Sequence, residues 1–179
     1  MDGLARGAAV PKAVMIDATY LKAHRTATRL RSKKGGRRPE GPPDRRTKGG
    51  MNTKLYAVAD ADGCPTRFFM TAGQVSDYTG AAALLGSLPK ADWLLADRGD
   101  DADWFRDALK DKGIKSYIPG QRSRGKPRKH DKRRCKLRNR IEIMFGRLKD
   151  WRRVATRYDR CPKVFLSAVA LAATVMFWL

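Results

Sequence analysis

Short apolar runs divide much of this chain into candidate strands. Five segments carry the pattern of a strand, at residues 13–16, 54–60, 67–71, 93–96 and 114–118. The second and third are joined by a turn rich in Asp and Gly, which predicts a hairpin. The unbroken run 93–96 is typical of a strand that is buried on both faces. Two of these strands end directly before an aspartate, Asp17 in the first case and Asp97 in the fourth.

Helical periodicity appears between and after the strands. Helices are predicted at residues 77–87, 101–112 and 132–156. The third carries an apolar stripe made of Leu137, Ile141, Met144, Leu148, Trp151 and Ala155. Several aromatic residues fall at core-like positions, namely Trp93, Trp104, Phe105, Phe145 and Trp151. The apolar run 164–179 is shorter than a usual membrane span, so we expect a buried closing helix rather than a transmembrane one.

The order of these elements predicts an α/β fold, a ribonuclease H-like mixed sheet with helices on both faces. At 179 residues the chain is large enough to bury a core of its own, and we expect a single domain over residues 1–179. Residues 29–50 are rich in Arg, Lys, Gly and Pro without apolar periodicity, which predicts a long, flexible basic loop. A second basic loop is expected at residues 119–131.

Charge indicates the kind of partner. The chain has 39 Lys and Arg against 18 Asp and Glu, a formal net charge of +21. Residues 22–54 hold 12 basic and 2 acidic residues and residues 121–160 hold 17 and 4, whereas residues 55–120 hold 7 and 10. Such an excess is costly by self-repulsion unless an anion screens it. A nucleic-acid phosphate backbone is therefore favoured over a membrane surface.

Cysteine and histidine offer no familiar metal site. Cys64, Cys135 and Cys161 are widely spaced, and the two histidines are His24 and His130. This spacing excludes a structural zinc site of the usual kind and gives no disulfide framework, so a reduced cytoplasmic chain is expected. The first residues lack a long apolar core, which argues against a signal peptide.

One helix face carries the most informative combination of charges. Arg138, Glu142 and Lys149 are spaced by four and seven residues, so they project from one side of a helix. A ribonuclease H-like fold carries its carboxylates on the first strand, just after the fourth strand and on a late helix, and Asp17, Asp97 and Glu142 occupy those places. They predict an Asp–Asp–Glu site for two Mg²⁺ ions, with Mn²⁺ as a substitute, acting on phosphodiesters.

Each carboxylate also has an ordinary structural explanation. Asp17 suits a turn at the end of a strand, and Asp97 suits a cap for the following helix. Asp97 has neighbouring rivals for a metal-binding role in Asp100, Asp101 and Asp103. Glu142 suits a surface ion pair with Arg138, four residues before it. The joint placement of the three carboxylates favours the metal site over these separate explanations.

Three blocks of residues resemble a known family. They are DATYLKAH at residues 17–24, LLADRG at 94–99, and Arg138 followed by Glu142 and Lys149 at the spacing given above. Together they resemble the catalytic domain of DDE-type bacterial insertion-sequence transposases, specifically the insertion sequence five family. The segments GGMNTKLYAVADADGCP, TAGQVSD and DWRRVATRYDR are similar to that family as well, so the resemblance runs from about residue 13 over nearly the whole chain.

The resemblance implies that Asp17, Asp97 and Glu142 are the catalytic metal ligands. DNA contacts are expected from Arg138, Lys149, Arg152, Arg153, Lys22 and His24. The chain departs from the family pattern at Cys135, where a Tyr is usual, and at Asp100, where a Tyr or Phe is common. Only 16 residues precede Asp17, so we expect the family's N-terminal DNA-recognition domain to be absent from this chain. An upstream-frame product is a candidate partner that would supply it.

We therefore expect a Mg²⁺-dependent transposase catalytic domain that cuts DNA at insertion-sequence ends and joins the 3′-hydroxyl to target DNA. It would act as a homo-oligomer on double-stranded DNA at the bacterial nucleoid, without a membrane. One alternative is a non-catalytic basic nucleic-acid-binding protein, which explains the charge but leaves the three carboxylates without a role. An inactive truncated transposase is another. A further alternative is a metal-dependent nuclease without strand transfer. It differs from the transposase only in whether a 3′-hydroxyl can replace water as the attacking group.

Overall fold

A mixed sheet with helices on both faces is the framework of the protein. The computed structural model describes residues 12–28, 46–47, 50–73, 75, 77–120 and 136–179. In chain order the elements are β1 (Ala13–Ala23), α1 (Arg25–Thr28), β2 (Arg46–Thr47), β3 (Gly50–Asp60), β4 (Pro65–Ala72), α2 (Asp77–Leu85), β5 (Trp93–Leu95), a 3-10 helix (Arg98–Asp100), α3 (Asp103–Asp111), β6 (Lys115–Tyr117), α4 (Asn139–Asp150), α5 (Arg152–Ala155), β7 (Thr156–Arg157) and α6 (Pro162–Phe177).

Strand β1 lies at the centre of the sheet. Antiparallel β3 pairs with it on one side and parallel β5 on the other, while β6 continues in parallel beyond β5. Strand β4 forms the predicted hairpin with β3, and the two-residue β7 runs parallel to the end of β1. Parallel and antiparallel pairs therefore coexist, which confirms the predicted mixed sheet.

Two apolar layers hold the helices on the two faces of the sheet. Successive side chains of β1 point to opposite faces of the sheet, so Ala13 and Met15 lie in one layer and Val14 and Ile16 in the other. Helices α4 and α6 cover the first layer, and α2 and α3 cover the second. Each fully buried Leu, Ile or Phe in these layers contributes about 1.5–3 kcal/mol of transfer free energy. The sheet is thus buried on both faces, as the run 93–96 predicted.

Close packing of α2 on the sheet depends on a glycine. A Cβ atom added to Gly80 would lie 2.1 Å from Cε1 of Tyr56, far inside van der Waals contact. The ring of Tyr56 on β3 can therefore lie against α2 only because position 80 has no side chain.

The structure corrects three sequence-based predictions. Strand β1 does not end at Asp17 but continues to Ala23, so Asp17 lies within a strand. The single helix predicted over 132–156 is interrupted at Trp151, whose ψ of 107° is extended, and the chain then forms α5 and β7. Trp151 and Trp104 are 46% and 44% exposed, so these two rings are not in the core as predicted.

Other predictions are confirmed or fall outside the described residues. Phe105 and Phe145 are buried, and α6 is a closing helix that buries Phe165 and Val169 against the sheet. Within the described ranges, no helix has both the length and the hydropathy needed to cross a bilayer. Most of the predicted basic loop at 29–50, residues 121–131 of the second loop and Cys135 lie outside the described residues. The described part of the first loop is strand and not loop as predicted, because Arg46–Thr47 form β2 and β3 begins at Gly50.

Candidate active site

Strand register brings the two predicted aspartates together. Met15 of β1 pairs with Leu95 of β5 in parallel, so two further residues along the chain lead to Asp17 on one side and Asp97 on the other. Asp17 projects from the same face of β1 as Met15, because side chains alternate along a strand. That face is the one covered by α4, the helix that carries Glu142.

Arg138 links all three predicted carboxylates. Its Nη2 atom lies 2.7 Å from Oε1 of Glu142, and its Nη1 atom lies 3.3 Å from Oδ2 of Asp17. The same Nη2 atom approaches Oδ1 of Asp97 to 3.9 Å. The i,i+4 pair that the sequence predicted as an ordinary surface contact is therefore formed, and it extends to two acids from distant parts of the chain.

The three carboxylates surround the guanidinium of Arg138 and do not converge on one position. Among the described residues, no three Asp, Glu, His or Cys side chains converge closely enough to hold one metal ion. The donors nevertheless are the hard carboxylate oxygens that Mg²⁺ prefers. They already bind one cation, Arg138, so the residues present fit a divalent ion that would compete with this arginine.

Burial and charge act in opposite directions on Asp17. Its side chain is 18% exposed, against 53% for Asp97 and 47% for Glu142. Burial raises the pKa of Asp17 above its usual range, although a hydrogen bond from the Ala18 amide and the charge of Arg138 lower it. The neighbouring carboxylates Asp97 and Glu142 add to the rise. Burial thus disfavours the charged form of Asp17, and a cation beside it favours that form.

Lys149 attaches α4 to β1 through a residue that sequence reasoning missed. Its Nζ atom donates a hydrogen bond to Oγ1 of Thr19 at 2.5 Å, and burial lowers the pKa of this lysine. Thr19 lies two residues after Asp17 and so projects from the same face of the strand. The two-residue spacing from Asp17 to Thr19 was the signal in the sequence that could have identified Thr19. The ammonium group thus faces the sheet, close to the carboxylate cluster.

The rival aspartates after β5 have other surroundings. Asp97 accepts a hydrogen bond from the Arg98 amide at 2.7 Å and so caps the 3-10 helix. It does not cap α3, the helix of the structural alternative, whose N-cap is Ala102 without a side-chain hydrogen bond. Asp101 is fully buried and forms an ion pair with Arg106 at 2.8 Å. Arg106 also donates to the carbonyl of Ile118 at the end of β6. This network fixes the turn that carries Asp97.

The remaining predicted DNA-binding residues come from the end of β1, the residue after it and α5. Strand β7 pairs with residues 22–23 of β1, and α5, which carries Arg152 and Arg153, contacts β1. His24 packs its ring against Tyr158 at a centroid distance of 4.8 Å. Five residues of strand separate Asp17 from Lys22, about 16 Å. The structure therefore does not bring Lys22 into the carboxylate cluster.

A cavity of about 150 Å³ opens beside the two aspartates. Asp17, Asp97 and Asp100 line it together with Tyr20 and Lys54. The ammonium of Lys54 lies 5.2 Å from the centre of the Tyr20 ring. Sequence reasoning missed Tyr20 and Lys54 as neighbours of the site, because their proximity arises from the pairing of β1 with β3.

Comparisons with known proteins show the family to which this chain belongs. Residues 94–179 match a family model described as "Transposase DDE domain". The chain is 37% identical over 131 residues to a putative transposase for insertion sequence element IS6501 from Brucella ovis, covering 72% of this chain and 99% of that protein.

Solved structures show the same fold at low sequence identity. The catalytic core domain of BIV integrase superposes with a TM-score of 0.51 at 14% identity, over 93% of this chain and 83% of that one. A chain of the simian T-cell lymphotropic virus intasome in complex with PP2A regulatory subunit B56 gamma gives 0.54 at 14% identity. There the match covers 95% of this chain but only half of the intasome chain.

Proposed function

Because the chain belongs to the DDE transposases of bacterial insertion sequences, we propose that it cuts DNA at the ends of such an element and joins the freed 3′-hydroxyl to target DNA. Its motif residues favour the insertion sequence five family. We propose Asp17, Asp97 and Glu142 as the catalytic carboxylates. Cleavage and joining would take place on the bacterial chromosome, where the protein would act as a homo-oligomer on double-stranded DNA.

The observation that carries the proposal is the linkage of the three acids by Arg138. They come from the middle of β1, from the turn after β5 and from α4, and one guanidinium contacts all three. A cluster of this kind over the central strand of the sheet concentrates negative charge, which attracts cations.

The three carboxylates would hold divalent metal ions, with Mg²⁺ as the natural ion and Mn²⁺ as a substitute. Two such ions, when bound, activate the attacking oxygen and stabilise the leaving oxygen of a phosphodiester. Asp97 and Glu142 are about half exposed, so their oxygens are accessible from the side where DNA would lie. Asp17 forms the buried base of the site.

The cationic residues have separate roles in this proposal. Arg138 neutralises the acids and presents a planar fork that suits bidentate contact with phosphate oxygens. Lys149 holds α4 against β1 through Thr19, which sets the position of Glu142 relative to Asp17. Lys22, His24, Arg152 and Arg153 would bind DNA backbone away from the cut, with Lys22 about 16 Å along β1 from Asp17. Binding through so much positive charge should weaken steeply as salt is added.

A strand-transfer assay tests the proposal. Purified protein is incubated with Mn²⁺ or Mg²⁺, supercoiled target DNA and labelled oligonucleotides that end in the element's own 3′ terminus. Wild type is compared with Glu142→Gln and with Asp107→Asn, which alters an exposed carboxylate on α3. Metal-dependent joining should be lost in Glu142→Gln and retained in Asp107→Asn, while both variants still bind DNA.

The other outcomes distinguish the alternatives. Binding without nicking or joining by the wild type would identify a non-catalytic DNA-binding protein or an inactive transposase. Nicking that never leads to joining, at any concentration of target, would identify a metal-dependent nuclease. Either result would remove the proposed strand-transfer activity.

A further inference from the structure

Helix α6 carries a stripe of apolar side chains on the side that faces away from the sheet. Its inner side buries Phe165 and Val169 in the core. On the outer side Leu171 is 64% exposed, and Val164 and Val175 are about half exposed. Scattered apolar side chains are ordinary on a protein surface, whereas a contiguous apolar patch marks a contact with another molecule. We call the following five residues the outer stripe of α6: Val164, Ala168, Leu171, Val175 and Trp178.

The polar side chains on and beside the outer stripe already have hydrogen-bond partners within the chain. The hydroxyls of Ser167 and Thr174 each donate to the carbonyl four residues earlier in the helix, at 3.0 and 2.9 Å. Nε1 of Trp178 donates to the carbonyl of Pro65 at 3.1 Å. A partner that covers the stripe therefore leaves none of these groups without a hydrogen bond, so an apolar contact carries little desolvation cost.

Charge identifies the kind of partner that suits this stripe. The chain has a formal net charge of +21, yet residues 164–179 contain no charged side chain. DNA or an acidic protein would require cations in the contact. A second copy of the chain carries the same excess of positive charge, so two copies meet at the lowest electrostatic cost through a surface without charge.

The spacing of the outer stripe is complementary to itself. Its members follow one another at intervals of 4, 3, 4 and 3 residues, which is the heptad pattern by which two helices pack. A second α6 can lie antiparallel to the first, with a two-fold axis midway between positions 168 and 171. Ala168 of each copy then faces Leu171 of the other, and Val164 faces Val175. A small side chain thus meets a large one at the centre of the contact.

The same register gives Lys163 a favourable position. This cation lies in the first turn of α6, where the dipole of its own helix disfavours a positive charge. In the antiparallel pair it would lie beside position 176 of the other copy, in the last turn of that helix. A cation at the C-terminal end of a helix is stabilised by the dipole, so this contact favours antiparallel over parallel pairing.

We propose that the outer stripe of α6 is the surface through which a second copy of the chain pairs with this one, in an antiparallel contact around a two-fold axis. The proposal rests on the homo-oligomer of the proposed function and assigns its contact surface. A helix of 16 residues is about 24 Å long and about 10 Å wide, so the stripe offers on the order of 250 Å² per copy. A standard interface buries about 800 Å² per partner. The pair is therefore weak in the free protein and is strengthened where DNA holds two copies close together.

Sedimentation equilibrium of the full chain tests this pairing without DNA or metal, at high salt to screen the repulsion between copies. The average mass of the wild type should rise from 20.1 kDa toward twice that value between micromolar and millimolar concentration. Leu171→Lys places a charge in the contact and should raise the dissociation constant at least tenfold. Ile143→Lys is the matched control, because Ile143 is also a large apolar residue, 54% exposed, but lies on α4. It should associate as the wild type does, and both variants should keep the melting temperature of the dilute wild type.

A mixture of two variants tests the antiparallel register. Ala168→Glu alone should also remain monomeric, because the new acid would face Leu171 of the other copy. Ala168→Glu mixed in equal amounts with Leu171→Lys should associate, since opposite charges then meet across the contact. A mixture that remains monomeric would overturn the proposed pairing.

Other outcomes would also overturn the proposal. They are a wild type that stays monomeric up to millimolar concentration, and an association that Leu171→Lys does not weaken. A monomeric wild type that co-sediments with anionic lipid vesicles, when Leu171→Lys does not, would assign the stripe to a lipid surface instead. These measurements do not depend on catalysis. A wild type that pairs as expected but never joins DNA strands would contradict the proposed strand transfer and leave the pairing surface intact.

Discussion

Removal of the Arg138 guanidinium should strengthen binding of a divalent ion in the absence of DNA. The oxygens that would bind the ion are the ones that Arg138 contacts at 2.7, 3.3 and 3.9 Å. Ion and arginine therefore compete. Each such partly exposed contact contributes about 0.2–1 kcal/mol, so breaking all three costs on the order of 1–2 kcal/mol. With 1.4 kcal/mol for each factor of ten, Arg138→Gln should lower the dissociation constant for Mn²⁺ about tenfold.

Isothermal titration calorimetry with Mn²⁺ measures this effect directly. Arg140→Gln is the matched control, because it removes the same charge two residues away. Arg140 is 46% exposed and contacts Asp62 and the Ala61 carbonyl, away from the three carboxylates. The affinity of Arg140→Gln should equal that of the wild type. If Arg138→Gln binds Mn²⁺ no more tightly than these two proteins, the arginine does not compete with the ion and the reasoning is wrong.

Two further predictions concern stability. Asp101→Asn leaves the partly buried Arg106 without its counter-charge, so it should lower the free energy of unfolding by about 3–5 kcal/mol in urea titrations, and a loss below 1 kcal/mol would show that the pair does not hold the turn. Asp17→Asn should raise the free energy of unfolding at pH 7 in metal-free buffer, because burial raises the pKa of Asp17 and folding therefore disfavours its charged form. This gain should shrink as the pH falls through the raised pKa and vanish below the ordinary value of 3.8, whereas a gain that stays constant with pH would point to packing instead.

Local patterns were sufficient to predict most of the framework. The apolar runs 93–96 and 13–16 predicted strands that begin at the observed residues, because a strand buried on both faces is made of consecutive apolar residues. The turn rich in Asp and Gly predicted the hairpin of β3 and β4, which the structure confirms. Spacing on α4 likewise predicted that Arg138 and Glu142 share a face, and they form an ion pair.

Long-range contacts account for what the sequence did not predict. Apolar periodicity continues through Trp151, yet the helix stops there because the following residues pair with β1, more than 130 positions earlier in the chain. The hydrogen bond from Lys149 to Thr19 depends on how α4 lies across the sheet, and no local sequence pattern predicts that. The roles of the individual site residues remain predictions that the assays above address.

The distances along the chain between the partners at the site have a consequence for biosynthesis. Arg138 and Asp17 are 121 positions apart, and Lys149 and Thr19 are 130 apart. Contacts of such high sequence separation require closure of large loops and form slowly. At about 5–20 residues per second, β1 leaves the ribosome roughly 6–26 s before the helix that completes its carboxylate cluster. A nascent chain therefore carries Asp17 without Arg138 while 121 further residues are added, and Asp97 without it while 41 are added, so the assembled site is among the last parts of the protein to form.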